Sequence, residues 1–527
     1  MTPLAATLPA AVAPRAAGQP PAAPVQPPVD LTLLKRLLWC YLAMWVCEGA
    51  LRKWIFPGLA TPLLVIRDPI LLLMYAMALQ KGVFPRSLFM PFIAGLSVVA
   101  VAFSLIGSRA PLLVQMYGYR ADFLHLPLIF LIPNLFDRDD IRRVGKWALL
   151  VALPMSFLVL LQFKAGPGAR VNVGVGGEGT MLDAGFGHIR ASGTFSFTNG
   201  LTDFTACCSA FCLYGLLTPR AYPRLLQWAS LPALAGLILL SASRGVVGMV
   251  SVVFMTIILI SLMQPRYLAP TTKILAVCVL GTLLVGSVAV FQDGLEVFAY
   301  RFGNATNVQK GFVGRFFESF LVPFQLFDRV DFYGVGLGMG TNVGAGLLYE
   351  GERKFLFAES EMGRVMFESG PVVGPAFLVL RAVIMFYMFG RALGTLRRGA
   401  HPLAMLLFGA CAVDLMLGQF GQATTLGYVT IACGLCLAAN SPGASDLVPA
   451  SASAPFRPAR PLPPLPPAPR PAALPGSGSA PAAKPAAPPP TAPPLARGRS
   501  LYAEQMQREA EERRQAAGSA AEGEPPA

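Results

Sequence analysis

Arg190, Arg244, Arg315 and Arg364 are the residues of this chain whose type and placement could do chemistry. Laid out as membrane spans, the apolar segments leave short loops rich in Lys and Arg on one side, and these four arginines on the other. Arginine on that outer side opposes the usual charge rule, so it needs a second reason to be there. A guanidinium presents a planar fork of N–H donors that matches phosphate oxygens. Several such groups beyond the lipid headgroups suit a diphosphate carried on a lipid.

Three strings hold Arg244, Arg190 and Arg364, and Arg315 stands in VGRFFESF (313–320). In SASRGVVG (241–248) the Ser-Arg-Gly stands between two apolar blocks, where a guanidinium is costly unless it is paired or faces water. It reads either as an interfacial arginine reaching for the headgroups or as a phosphate ligand with small neighbours. In IRASGTFSFTNGLTDF (189–204) Arg190 ends a Gly-rich loop, and Asn199 with Gly200 opens the next span. Backbone N–H groups at such a helix entrance can face an anion, or simply form an ordinary cap. In AESEMGRVMFESGPVVG (358–374) Glu359 and Glu361 precede Arg364 and Glu368 on a helical spacing. Ion pairing along one helix face is the plain reading, and a general base for a sugar hydroxyl is the chemical one. The nearby GVGLGMG lacks the strand-then-helix context of a nucleotide loop.

The elements that must position these residues are membrane helices. The 527 residues are 54% hydrophobic and 13% charged, with a mean hydropathy of +0.56. A soluble domain carries about twice that charged fraction. The apolar blocks are near twenty residues long, so the expected class is an all-α, polytopic integral membrane bundle of about 12 transmembrane helices rather than a β-barrel. Spans are expected near 37–50, 63–80, 88–107, 112–135, 147–163, 198–217, 226–242, 246–263, 273–292, 371–391, 402–419 and 424–440. Two outer segments remain, a Gly-rich one at 164–197 and a charged one at 293–370 with seven basic and ten acidic residues. The second is expected to form a helical external subdomain. Residues 1–30 read as an Ala/Pro-rich cytoplasmic tail without a signal-peptide pattern, 31–440 as the membrane domain, and 441–527 as a Pro/Ala-rich cytoplasmic tail. The tail's charged stretch AEQMQREAEERRQ (503–515) reads as a solvated tail, with an exposed helix that binds a cytoplasmic partner as the alternative.

Other classes recede. The net charge of +14 flanks the apolar segments, which favours membrane topology and the lipid bilayer as its cause over nucleic acid. All nine cysteines lie in apolar spans, and only three histidines are present, so no metal site or cofactor is expected. Arg120, Asp122 and His125 fall inside a span and read either as functional groups or as mutual ion pairs that fix the bundle. Arg52, Lys53 and Trp54 read as an interfacial anchor.

Taken in order, the strings resemble the O-antigen ligase and O-antigen polymerase superfamily of bacterial polysaccharide enzymes over about 185–375. Arg190, Gly193, Thr194, Phe195 and Asn199 match its Arg…Gly-Thr-Phe…Asn element, and Ser243, Arg244 and Gly245 its Ser-Arg-Gly. Arg315 with Gly334, Gly336 and Gly338 matches its Arg-helix-Gly turn, and Glu368, Gly370 and Gly374 match the end of its last motif. Glu359 occupies the position of the ligase histidine, which favours a polymerase over a ligase. The resemblance implies a GT-C-like glycosyltransferase of the bacterial inner membrane with both termini cytoplasmic. Its substrate would be an undecaprenyl-diphosphate-linked saccharide, joined without metal to an acceptor saccharide in exopolysaccharide or O-antigen synthesis. A chain-length regulator and a flippase are the implied protein partners. Arg190, Arg244, Arg315, Arg364 and Asn199 would bind substrate, and Glu359 or Glu361 would act as base. A ligase to another lipid or protein acceptor, and a transporter of lipid-linked sugars, are the alternatives.

Overall fold

The apolar blocks fold as helices wherever they are described. The computed structural model describes residues 29–108, 110–177, 181–286, 289–308, 312–341, 343–344, 360–399 and 401–441. All of these fall within the unit Met1–Ala454. Glu359 and the tails beyond 29 and 441 lie outside the described residues.

Fifteen α-helices carry the described chain. They begin with α1 (Thr32–Ala50), α2 (Asp68–Gln80), α3 (Phe89–Gly107), α4 (Leu112–Tyr119), α5 (Leu126–Leu135) and α6 (Arg138–Ala165). A two-stranded antiparallel hairpin, β1 (Asp183–Gly185) and β2 (His188–Ile189), interrupts them. There follow α7 (Thr198–Leu217), α8 (Arg224–Leu240), α9 (Arg244–Met263), α10 (Leu268–Gly286), α11 (Ala289–Val308) and α12 (Phe312–Leu326). The last three are α13 (Glu361–Arg397), α14 (Leu403–Leu417) and α15 (Ala423–Ala438).

Six helical stretches are long and apolar enough to cross a membrane: Pro62–Gln80, Phe89–Gly107, Arg138–Ala165, Thr198–Leu217, Arg244–Met263 and Glu361–Arg397. This is the architecture of a multi-pass helical membrane protein. Four further apolar helices, α5, α8, α14 and α15, are shorter, at 10–17 residues. The expected span 112–135 is broken in the middle by a π-helical turn at Arg120–Leu124, where its ionisable residues gather.

Burial separates centre from periphery. In α7 89% of the span is buried, against 22% in α3, so α7 lies inside the bundle and α3 on its rim. Every residue of α15 is buried too, and it packs against α5, α7 and α14. Rim helices expose large apolar side chains such as Phe92, Val98 and Ile106, which in a bilayer would meet lipid.

The start of α13 departs from expectation. Residues 361–370 were expected in a charged external subdomain; they form a helix of buried charged residues that meets the following apolar helix at Gly370. Glu361, Arg364 and Glu368 are 3%, 5% and 1% exposed. A single kink at Gly370, with φ of +72°, joins the two parts.

Candidate functional site

Three guanidinium groups converge on one cavity of about 440 Å³. Arg190 reaches it from the chain just after β2, Arg244 from the first residue of α9, and Arg301 from α11. The β hairpin supplies the geometry. Arg190 N donates to Leu182 O at 2.8 Å, and both Arg190 Nε (3.1 Å) and Arg301 Nη1 (3.4 Å) donate to Asp183 O. No ion pair engages these arginines among the described residues, and Arg301 Nε is buried without a hydrogen-bond partner. Burial, then the charges of Arg190 and Arg244, pull the Arg301 side chain down to about 10. Burial and Arg244 lower Arg190 in the same direction.

Two helix N-termini open on the same space. Thr198 and Asn199 of α7 and Ser243, Arg244 and Gly245 at the start of α9 line it, and neither helix has a side-chain cap on its first N–H groups. Such ends carry partial positive charge and donors aimed outward. Asn199 Nδ2 donates to Gln422 Oε1 at 3.2 Å, fixing the rim. The fourth wall is less expected. Asp203, one turn after Asn199 on α7, and Asp414, in the last turn of α14, also line the cavity, with Gln419 and Thr425 beside them.

A second charged cluster has the opposite character. Arg364 Nε donates to Glu361 Oε2 (2.9 Å), Nη1 to Glu368 Oε2 (2.6 Å) and Nη2 to Asp122 Oδ1 (2.6 Å). Arg381 Nη1 donates to Glu361 Oε1 at 3.0 Å. Glu368 also accepts from the backbone N–H groups of Gly338 (3.0 Å) and Gly340 (2.8 Å). The Gly-rich turn is thus a cradle for a carboxylate of the protein itself. A side chain at Gly338 would place its Cβ 2.2 Å from Val114 O, and its φ of +83° favours glycine independently. Every nitrogen of the Arg364 guanidinium is committed, and neither Arg364 nor Glu361 lines the arginine cavity. Arg364, expected to bind substrate, and Glu361, expected as a base, are therefore placed in a closed network.

Of the ionisable residues of the broken span, Asp122 joins this network, while Arg120 and His125 meet on Asp68. Arg120 Nε donates to Asp68 Oδ2 at 2.5 Å, His125 Nε2 lies 3.2 Å from Asp68 Oδ1, and Asp122 serves Arg364. The expected interfacial anchor is also internal. Arg52 and Lys53 are 6% and 2% exposed. Lys53 Nζ donates to Ser192 Oγ (3.0 Å) and Gly193 O (2.8 Å), and Arg52 Nη1 to Ser196 Oγ (2.9 Å). They hold the segment between Arg190 and α7 in place. Gly49 lets that segment lie on α1, since a Cβ there would sit 2.3 Å from Ser196 N.

The connection between α14 and α15, which carries Gln419, is clamped from several helices. Arg381 donates to Leu415 O (2.7 Å) and Gly418 O (3.1 Å), and Tyr117 Oη to Gly421 O (3.3 Å). Arg67, itself paired with Glu48 at 2.9 Å, donates to Ala423 O, and Trp45 Nε1 to Thr424 O at 2.9 Å.

Of the residues singled out in the sequence, the structure brings Arg190, Asn199 and Arg244 together. Arg315 stands on α12 one turn before Ser319, which lines the cavity. Glu359 falls outside the described residues. Sequence reasoning missed Arg301, Asp203 and Asp414. Asp203 shares a helical face with Asn199 at i, i+4 spacing, and Asp414 is the lone acid of an apolar span, so both left a legible signal. No family model matches this chain, and no curated protein matches it.

Proposed function

We propose that this protein is a membrane glycosyltransferase. In this reading it takes a saccharide from an undecaprenyl-diphosphate carrier and joins it to an acceptor saccharide at the outer face of a bacterial inner membrane. The bundle crosses about 12 times, with a GT-C-like plan and both termini in the cytoplasm. The observation that carries the reading is the convergence of Arg190, Arg244 and Arg301 on one cavity between two uncapped helix N-termini. Three fixed cations without an ion-pair partner among the described residues, on the side expected to face outward, match a diphosphate in charge and donor geometry.

The chemistry follows from placement. The arginines bind the diphosphate and take up the charge that grows on it as the glycosidic carbon–oxygen bond breaks. They supply the electrostatic role that a divalent cation plays elsewhere. Asn199 and the first N–H groups of α7 and α9 complete the cradle. The acceptor hydroxyl attacks the anomeric carbon in a single inverting displacement and gives its proton to a carboxylate, for which Glu359 is the candidate read from the sequence. Repeated transfer makes a polymer; transfer once to a different acceptor makes a ligase. Translocation of the lipid-linked sugar without transfer is the remaining class.

Purified protein in lipid nanodiscs, given undecaprenyl-diphosphate-linked repeat units, separates these outcomes. Elongated glycan on the carrier supports polymerisation, and unchanged glycan with bound lipid diphosphate points to translocation. Arg190→Ala and Arg244→Ala each lower turnover about 10²–10³-fold if the reading holds. Wild-type product from both variants overturns it.

A further inference from the structure

The arginine cavity has an acidic wall that nothing so far uses. Asp203 on α7 and Asp414 on α14 line the same wall of it, and the charge of each bears on the other. Oδ2 of each is buried and without a partner among the described residues, as is the Thr425 hydroxyl beside them. Asp203 is 2% exposed, and both carboxyls line the cavity that holds the arginines. Neither forms an ion pair among the described residues. Their other neighbours supply no free compensating charge. Cys207 and Cys411 are thiols on the same two helices, Tyr428 of α15 donates to Ala410 O, and Arg381 of α13 is spent on Glu361 and on carbonyls of α14.

Two adjoining carboxylates between apolar helices cannot both ionise cheaply, because their repulsion is poorly screened there. One proton between them removes the repulsion and satisfies both orphaned oxygens. Three guanidiniums against one ionised carboxyl leave two positive charges in excess, a match for a bound diphosphate.

We infer that Asp203 and Asp414 share one proton and that this singly ionised pair is the proton acceptor of the transfer reaction. The inference rests on the proposed function and assigns the base of that same site. As the acceptor oxygen bonds to the anomeric carbon, its O–H proton passes to the pair. The electron pair of the breaking carbon–oxygen bond leaves with the diphosphate, beside the arginines. The pair ends doubly protonated and returns one proton to solvent before the next cycle.

The test uses the full chain in nanodiscs, with Asp203→Asn, Asp414→Asn and Glu359→Gln. Each aspartate variant is expected to keep binding undecaprenyl diphosphate while turnover on the lipid-linked repeat unit falls about hundredfold or more, with kcat rather than KM affected. The acid limb of the wild-type pH profile, where the pair gains its second proton, moves with either change to the pH at which the one remaining carboxyl is protonated. A hydrophobic carbodiimide, which modifies protonated carboxyls, is expected to label wild-type Asp203 or Asp414, and undecaprenyl diphosphate to protect them. That labelling needs no variant, so it decides the shared proton even where a substitution impairs folding. Unlabelled Asp203 and Asp414, or full turnover in both Asn variants with loss only in Glu359→Gln, overturns the inference. Failure of the wild type to bind undecaprenyl diphosphate instead removes the parent reading, and the catalytic role with it, leaving the labelling to report the shared proton alone.

Discussion

The two charged centres of this molecule hold similar side chains in opposite conditions. Around Arg364, two guanidiniums meet three carboxylates and two backbone N–H groups, and every guanidinium nitrogen of Arg364 has a partner. Around Arg244, three guanidiniums share a cavity with donors in excess, and Arg301 Nε has no partner among the described residues. Buried charges that are fully matched make structure. Charges left unmatched beside a cavity cost stability and persist where a ligand completes them. Spacing along the sequence does not distinguish Arg364 from Arg244; their neighbours in space do.

That contrast can be broken at its strongest point first. Arg364→Ala strands Asp122, leaves Glu361 with Arg381 alone and Glu368 with two backbone N–H groups, and is expected to cost about 3–5 kcal/mol, read as a large drop in thermal stability in detergent. Arg364→Lys, a point charge in place of a fork, should recover only part of it. Arg244→Ala is expected to do the reverse. Its melting temperature stays close to wild type or rises, since mutual repulsion is relieved, while undecaprenyl diphosphate binding weakens by more than tenfold. A melting loss equal to that of Arg364→Ala would erase the distinction between the two centres.

Arg301 gives a finer probe. Burial and its two arginine neighbours hold it down to about 10, so it is charged below that pH and loses its proton above it. Diphosphate binding by the wild type should therefore weaken as pH rises through that region, and Arg301→Gln should bind several-fold more weakly at neutral pH and lose the alkaline step. An alkaline step that survives in the variant assigns it elsewhere. The smallest effect belongs to Asn199→Ala, which removes one neutral hydrogen bond to Gln422. It should cost about 1 kcal/mol or less in binding measured by titration.

Much of the scaffold was legible because lipid imposes a strict rule: backbone groups must bond within the helix, so apolar blocks near twenty residues fold as helices. Asn199 and Arg244 were legible for a related reason, since each sits where an apolar block begins, and Arg190 because it closes the Gly-rich loop ahead of one. Arg301 was not, because it lies within a mixed helix whose charges look alike in sequence. The burial of Glu361 and Arg364 was hidden for a different reason. Their i, i+3 spacing announces a local pair, while the deciding partners, Asp122 and Arg381, come from 242 positions upstream of Arg364 and 20 beyond Glu361. Lys53 was misread similarly, as its partners Ser192 and Gly193 lie some 140 residues away.

The clamped connection between α14 and α15 bears on the economics of recognition. Arg381 and Tyr117 pin its carbonyls, and Arg67 and Trp45 those of the first turn of α15, so Gln419 and Thr425 meet an incoming ligand from a wall already in its final shape. Ordering entropy is then charged mainly to the flexible guest and little to the host. A short lipid diphosphate stripped of sugar should accordingly retain most of the headgroup affinity, with the glycan contributing selectivity rather than grip.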